Sequence, residues 1–355
     1  MNESTAKQVV SLFTAETVAE IQIKNTSREG GDFREAIFAR LASEKKLVVK
    51  LAENAFTAPE HIAMWRRCAS EYRRLGFYCP QIFSSLCGDF PEVLYKGHRC
   101  FAYAEEFSPY LSADRCPNAK PFRDELYRMT AKVAACCFQY TNLPSAYCLF
   151  DTFGGDEMDE VTENALEFQR YSRTLPERFA AQTGRMFARW EENRAALEKC
   201  YAGLPTSVFQ ADLNDTNVLL DDLGNFAGIY DFNLAGKDVF LNYLFREIYE
   251  GSLDEERNAI LSALKVAAGV YAFSEAEKEA EQAQQEDQAQ TTDPAQAAAG
   301  QTTGNAAAQP AQMTPAADTA APETAAEGEA QPAVQDEQQP AADTEQNPDA
   351  IAPEN

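Results

Sequence analysis

Residues 208–231 read VFQADLNDTNVLLDDLGNFAGIYD and place Asp212, Asn217 and Asp231 in order, 5 and then 14 positions apart. Ser207-Val208-Phe209 leads into a polar loop, and Val218-Leu219-Leu220 follows as a short apolar run. Asp222-Leu223-Gly224-Asn225 has the composition of a turn, and residues 226–230 return as a second strand. A hairpin of this kind brings Asp231 back beside Asn217. Three residues distant in sequence then form one acidic, amide-containing cluster at the open end of the hairpin.

Phosphoryl transfer requires such a cluster. One carboxylate stands near the attacking hydroxyl, while an amide oxygen and a second carboxylate hold magnesium against the nucleotide phosphates. The stretch Gln210-Ala211-Asp212-Leu213-Asn214-Asp215-Thr216-Asn217, followed by Tyr230-Asp231-Phe232, resembles the catalytic loop and metal aspartate of the aminoglycoside phosphotransferase and choline kinase family, relatives of the protein kinases. That family's loop is usually H-G-D-x-x-x-x-N, followed by a strand ending I-D-F or I-D-W. The resemblance implies that Asp212 is the catalytic base and that Asn217 and Asp231 are magnesium ligands. Gln210 departs from the usual histidine, which implies a differently anchored loop with the chemistry retained.

The upstream sequence extends the resemblance. Residues 37–41 and 47–51 are apolar runs separated by Ser43-Glu44-Lys45-Lys46, the pattern of a hairpin. Lys50 inside Leu47-Val48-Val49-Lys50-Leu51 is either an edge-strand lysine facing water or, by resemblance, the phosphate-gripping lysine of kinase-like folds. Residues 58–75 read as a helix, and Glu71 near its end is the expected partner of Lys50, with Glu60 as the alternative. Asn25-Thr26-Ser27-Arg28-Glu29-Gly30-Gly31-Asp32 occupies the position of the first turn; its glycines suit either a plain hairpin or close approach to a nucleotide. Residues 101–107, Phe-Ala-Tyr-Ala-Glu-Glu-Phe, resemble the strand that ends in the hinge between lobes. By that resemblance the backbone carbonyl of Glu105 and the amide of Phe107 meet adenine.

The chain of 355 residues carries 31 basic and 56 acidic side chains, a net charge of −25. From Ser274 onward there are 17 acidic residues and one Lys, no aromatic residue and hardly a branched aliphatic one. Such a tail cannot bury enough apolar surface to offset chain ordering and is expected to be disordered. Only residues 274–290 have the composition to extend a helix. The acidic balance argues against a nucleic-acid partner. Nine cysteines without a C-x-x-C pair and two histidines indicate neither a zinc site nor a disulfide framework. The lack of an apolar leader at residues 1–14, and of any run near the ~20 apolar residues of a membrane span, leads to the expectation of a cytoplasmic protein with no membrane partner.

Between hinge and loop the sequence is mostly helical, with apolar spacing over residues 122–139 and 173–200. Residues 239–249 and 254–273 read as two more helices. The acidic stretch 151–160 is either a solvated loop or a surface for a cationic acceptor. Helical sequence closing the lobe is shorter than the family's usual. The expected architecture is α+β: a bilobal protein-kinase-like fold. It has a nucleotide-binding lobe (1–104) with an antiparallel sheet, a helical catalytic and acceptor lobe (105–273), and the tail (274–355). The resemblance implies a small-molecule kinase that uses ATP, or GTP, with Mg2+ to phosphorylate a hydroxyl of an amino sugar, a choline-like compound or a related metabolite. The alternative is a catalytically weak nucleotide-binding pseudokinase or scaffold. A protein kinase fits less well, because no activation segment with an A-P-E-like end follows Asp231.

Overall fold

Alternation of side chains across a strand decides what the smaller lobe can place in a cleft. The computed structural model describes residues 2–28, 31–249 and 256–279. Helix α1 (Asn2–Ser11) precedes strands β1 (Val18–Asn25), β2 (Phe33–Leu41) and β3 (Lys46–Glu53), then helix α2 (Pro59–Arg74) and strands β4 (Ile82–Phe83), β5 (Glu92–Tyr95) and β6 (His98–Glu106). All pair antiparallel in the order β1-β2-β3-β6-β4, with β5 also on β6. The expected hairpin is present, with Ile37 opposite Val49 and Ala39 opposite Leu47. Leu47, Val49 and Leu51 of β3, with Cys100, Ala102 and Ala104 of β6, bury one face of the sheet against Val9 and Val10 of α1. With a period of two, the intervening Lys50, Tyr103 and Glu105 must point to the opposite face, toward the rest of the chain.

Helix α2 joins the two lobes. Its Trp65, Cys68 and Tyr72 share one continuous core with Tyr103 of the sheet and with Leu126, Met129, Phe209, Phe232 and Tyr243 of the helical lobe. That lobe contains β7 (Leu111–Ser112), α3 (Arg123–Ala135), α4 (Glu160–Ser172), α5 (Ala180–Tyr201), β8 (Thr206–Phe209), β9 (Val218–Leu220), β10 (Phe226–Ile229), β11 (Gly236–Val239), α6 (Phe240–Tyr249) and α7 (Glu256–Ala268). Strand β6 runs to Glu106, so the sheet extends two residues past the expected lobe boundary at Ala104. A helix expected from residue 173 starts at Ala180 instead. Residues 173–176 turn and Pro176 interrupts the run, while α4, capped by Asp159 accepting from the Thr162 amide at 2.9 Å, takes the preceding segment. The hairpin β9–β10 pairs Leu220 with Phe226 and Val218 with Ile229, and the amide of Tyr230 donates to the carbonyl of Asn217 at 3.0 Å.

The expected limit of order at Phe273 is corrected by the structure. Residues 275–279 form a helical turn, and Glu277 is 1% exposed. Its carboxylate accepts from the Ser274 amide (2.7 Å) and hydroxyl (2.8 Å) and from the Tyr271 hydroxyl (3.0 Å), while the Glu277 amide returns a bond to the Ser274 hydroxyl (3.3 Å). Ser-x-x-Glu here is a capping box. It seats Tyr271 and Phe273 against Phe240, with ring centroids 4.6 and 5.8 Å away, and so supplies part of the closure that the sequence suggested was short. Residues 280–355, where the remainder of the expected acidic tail falls, lie outside the described residues. Truncation after Phe273 leaves the Tyr271 hydroxyl without its acceptor and is expected to cost about 2 kcal/mol, a fall of about 4–8 °C in Tm. Truncation after Gln290 retains the box and should leave Tm unchanged. Equal Tm values for both truncations in a thermal melt would show that the box adds no stability.

Candidate active site

The loop between β8 and β9 is built around Gln210, which is fully buried. Its Nε2 donates to the carbonyls of Tyr230 (3.0 Å) and Asp231 (2.7 Å), and its Oε1 accepts the amide of Asp212 at 2.7 Å. The Gln210 amide in turn donates to the hydroxyl of Tyr72 on α2 at 3.2 Å. A side-chain amide has a donor and an acceptor end, so one residue ties the start of the loop to the end of β10. This is the different anchoring that replacement of histidine implied. Ala211 at φ +73° and Asp231 at φ +60° adopt left-handed backbone, which turns the chain sharply on both sides of this clamp.

Within the loop, Asn214 and Asn217 converge on Asp212. Asn217, 6% exposed, donates through Nδ2 to the carbonyl (3.0 Å) and Oδ2 (2.9 Å) of Asp212. Asn214 donates to Oδ1 of the same carboxylate at 2.8 Å. Both Asp212 oxygens are therefore oriented by amides from its own loop. Asp231 is aimed the other way, toward the sheet, where its Oδ1 lies 3.1 Å from Nζ of Lys50.

Lys50 does not pair with Glu71, which corrects the expectation. Glu71 binds Arg74, one turn further along α2, at 2.6 Å. The partner of Lys50 on its own sheet is Glu105, at 3.0 Å. Strand pairing explains the choice: Lys50 stands opposite Tyr103 and Val48 opposite Glu105, so Glu105 is the diagonal same-face neighbour of Lys50, within reach of a long side chain. Burial alone would favour the neutral amine, but Asp231 and Glu105 outweigh it and hold the Lys50 pKa well above the ordinary lysine value. Burial pushes the Glu105 carboxyl up, against the pull of Lys50. Glu105 was expected to act through its backbone; its side chain, 5% exposed, is what reaches the site. A glutamate at the end of an apolar strand was the available sequence signal. Phe107, just past β6, is 38% exposed, and its ring stands edge-on to Phe38 at 6.3 Å. In the first turn, Glu29 and Gly30 lie outside the described residues; Gly31 has φ +87°, and Arg28 and Asp32 form a bridge across the turn.

A further group of residues, not visible in the sequence, lies within electrostatic reach of Asp212. The amide of Ala146 donates to the carbonyl of Leu234 at 3.1 Å, which ties the residue before Tyr147 to the chain just after Asp231. Asn242 Nδ2 donates to the Tyr147 carbonyl at 3.0 Å and to the buried Asp238 carboxylate at 3.0 Å. Arg246, one turn along α6, places its guanidinium carbon 2.9 Å from the Tyr147 ring centroid. Burial raises the Tyr147 hydroxyl to about 12; Arg246 acts against that rise and Asp212 adds to it.

Among the described residues no group of three or more His, Cys, Asp and Glu side chains is placed to hold a metal ion. The Asn217 amide and the Asp231 carboxylate each offer a hard oxygen, the donor type that magnesium and calcium take. No helix among the described residues is long and apolar enough to cross a membrane.

Residues 28–242 match the profile of the APH phosphotransferase enzyme family. No curated protein sequence matches the chain. Among solved structures, the microcompartment-associated aminopropanol kinase has the same fold, with a TM-score of 0.50 and 13% identity over 77% of this chain and 82% of that one. Amicoumacin kinase hAmiN in complex with AMP-PNP, Ca2+ and Ami gives a TM-score of 0.49 at 13% identity, covering 77% and 79%. Macrolide 2'-phosphotransferase MphH from Brachybacterium faecium gives 0.45 at 13%, covering 78% and 86%.

Proposed function

Because the chain belongs to the phosphotransferase enzyme family, we propose that it transfers the γ-phosphoryl group of ATP, or of GTP, to a hydroxyl of a small molecule. The observation that carries this reading is the convergence of Lys50 and Asp231 at 3.1 Å, from positions 181 residues apart, beside a loop whose amides orient Asp212. In this reading Asp212 accepts the proton of the acceptor hydroxyl. The hydroxyl oxygen forms a bond to the γ-phosphorus, the bond to the β-phosphate oxygen breaks, and ADP leaves with that oxygen. Lys50, held between Glu105 and Asp231, presents positive charge to the phosphates. Asn217 through Oδ1 and Asp231 through its carboxylate would hold Mg2+, which neutralises charge developing on the phosphates. The backbone at Glu105 and Phe107 borders the place for the base. Glu71, paired with Arg74, has no part in this chemistry.

Nucleotide binding tests the assignment. Calorimetry should show ATP binding that strengthens at least tenfold on adding Mg2+, an order of magnitude appropriate to a cation shared between phosphates and protein oxygens. Asp231→Ala should remove that dependence. Equal binding by the wild-type protein with and without Mg2+ would overturn the roles of Asn217 and Asp231.

A further inference from the structure

The hairpin of α4 and α5 is anchored to the helical lobe at the end where α4 begins. Asp159, the N-cap of α4, pairs with Arg194 of α5, and Tyr201 at the end of α5 donates to the buried Asp238 carboxylate at 3.2 Å. No residue of either helix is buried. The 13 residues of α4 rise about 20 Å, so the connection to α5 lies well away from the anchored end. Charge is segregated along this length. Glu160, Glu163 and Glu167 of α4 and Glu191 and Glu192 of α5 stand toward the anchored end, whereas residues 170–189, at the far end, hold five arginines and one acid, Glu177. Arg170, Arg173, Arg178, Arg185 and Arg189 are all exposed. Arg189 pairs with Glu192 at 3.1 Å; the other four have no carboxylate partner among the described residues. Tyr171, 55% exposed, and Met186, 52% exposed, stand among them. Solvated surfaces ordinarily intersperse both signs of charge, and an all-arginine end runs against a chain whose net charge is −25.

We propose that the far end of this hairpin docks on an anionic phospholipid surface, with the arginines on headgroup phosphates and Tyr171 and Met186 at the boundary of the acyl layer. The forked donor set of arginine matches a phosphate. The arginines are spread over the last turn of α4, the connection and the first turns of α5, an arrangement that suits a plane of charge rather than a single anion. Exposed apolar side chains between them suit a surface that is apolar just beneath its phosphates; a nucleic-acid backbone offers phosphates without that layer. The acidic remainder of the chain does not cancel the attraction, because charges are screened over ~8 Å at physiological ionic strength and the far end stands more than twice that distance along α4. Contact with a surface needs no spanning helix, so the proposal replaces the expectation of no membrane partner. It is independent of the phosphotransferase reading.

The test is co-sedimentation of the full chain with vesicles of phosphatidylcholine alone and of phosphatidylcholine mixed with phosphatidylglycerol. Binding to the mixed vesicles should be at least about tenfold tighter and should weaken as salt is added. Arg170→Gln combined with Arg173→Gln should lower it by about twenty-five-fold, roughly fivefold for each arginine near a charged surface. Tyr171→Ser should lower it severalfold. Lys199→Gln, a charge change at the anchored end of α5, should leave it unchanged. All these side chains are exposed, so the thermal melts and the Mg2+-dependent ATP binding of every variant should match the wild type. Equal binding to both kinds of vesicle, no binding to either, or an equal loss from Lys199→Gln and from a single arginine substitution would overturn the proposal. So would binding of a short duplex DNA or RNA in place of the vesicles, lost in the arginine variant.

Discussion

Asp212→Asn should lower turnover at least ~100-fold, the lower end of what a positioned general base contributes, while nucleotide affinity stays within a few-fold. The contacts explain the separation. The Asp212 carboxylate touches Asn214 at 2.8 Å and Asn217 at 2.9 Å, and both are neutral donors. An asparagine keeps one acceptor oxygen for one of them and loses the other bond, a structural cost of about 1 kcal/mol. The negative charge and the capacity to take a proton are lost entirely. The Lys50–Asp231 pair is formed by other side chains and is untouched. ADP release with a saturating acceptor gives the turnover, and calorimetry with ATP and Mg2+ gives the affinity. Equal losses in both would make Asp212 a structural residue of the loop and favour the pseudokinase alternative.

Gly228→Ala should produce the largest loss of stability, about 3–5 kcal/mol. Gly228 lies in β10 beside Tyr78, the residue that carries the chain from α2 to β4. A Cβ there would lie 1.8 Å from the Tyr78 carbonyl oxygen and 2.6 Å from its carbon. Backbone cannot give way as a flexible side chain can, so β10 must move off Tyr78. That breaks two hydrogen bonds, Tyr78 amide to Ala227 carbonyl (3.1 Å) and Ile229 amide to Tyr78 carbonyl (2.9 Å). Asp231 follows two residues after Ile229, so the displacement should weaken Mg2+-dependent nucleotide binding as well. Gly184→Ala is the control. Gly184 lies inside α5 with nothing within 4 Å of its added Cβ, and the substitution should raise stability by about 0.5–1 kcal/mol. Urea unfolding of the two variants settles the matter; a Gly228→Ala protein within 1 kcal/mol of wild type, on the scale of an ordinary surface substitution, would mean that the strand accommodates the methyl group.

The β9–β10 hairpin was legible because every step that builds it is local. Apolar runs, a Gly-Asn turn and a polar loop put Asn217 beside Tyr230 through backbone pairing, and Asp231 is simply the next residue. Lys50 was legible for the same reason: alternation within β3 sends it to the face opposite Leu47, Val49 and Leu51. Helix α2 and the β2–β3 hairpin also follow from short-range periodicity. The partner of Lys50 was not legible. It depends on the register of β3 against β6, more than fifty residues away, and that register is set by burial of the whole sheet face rather than by any local pattern. Glu71 has the composition expected of a partner, yet the sheet offers Glu105 first and Arg74 takes Glu71. Gln210 reads as a lost histidine until the carbonyls of Tyr230 and Asp231 are brought to its amide. Glu277 reads as one more acid in a solvated tail; its burial exists only because Tyr271 and Phe273 dock on Phe240. The juxtaposition of Arg246 with Tyr147, 99 positions apart, likewise follows from how α6 packs on β8 through Tyr243 and Phe209. Backbone conformation is encoded over a few residues, whereas the choice among several chemically equivalent charges is made by long-range packing, which determines which of them are near enough to meet.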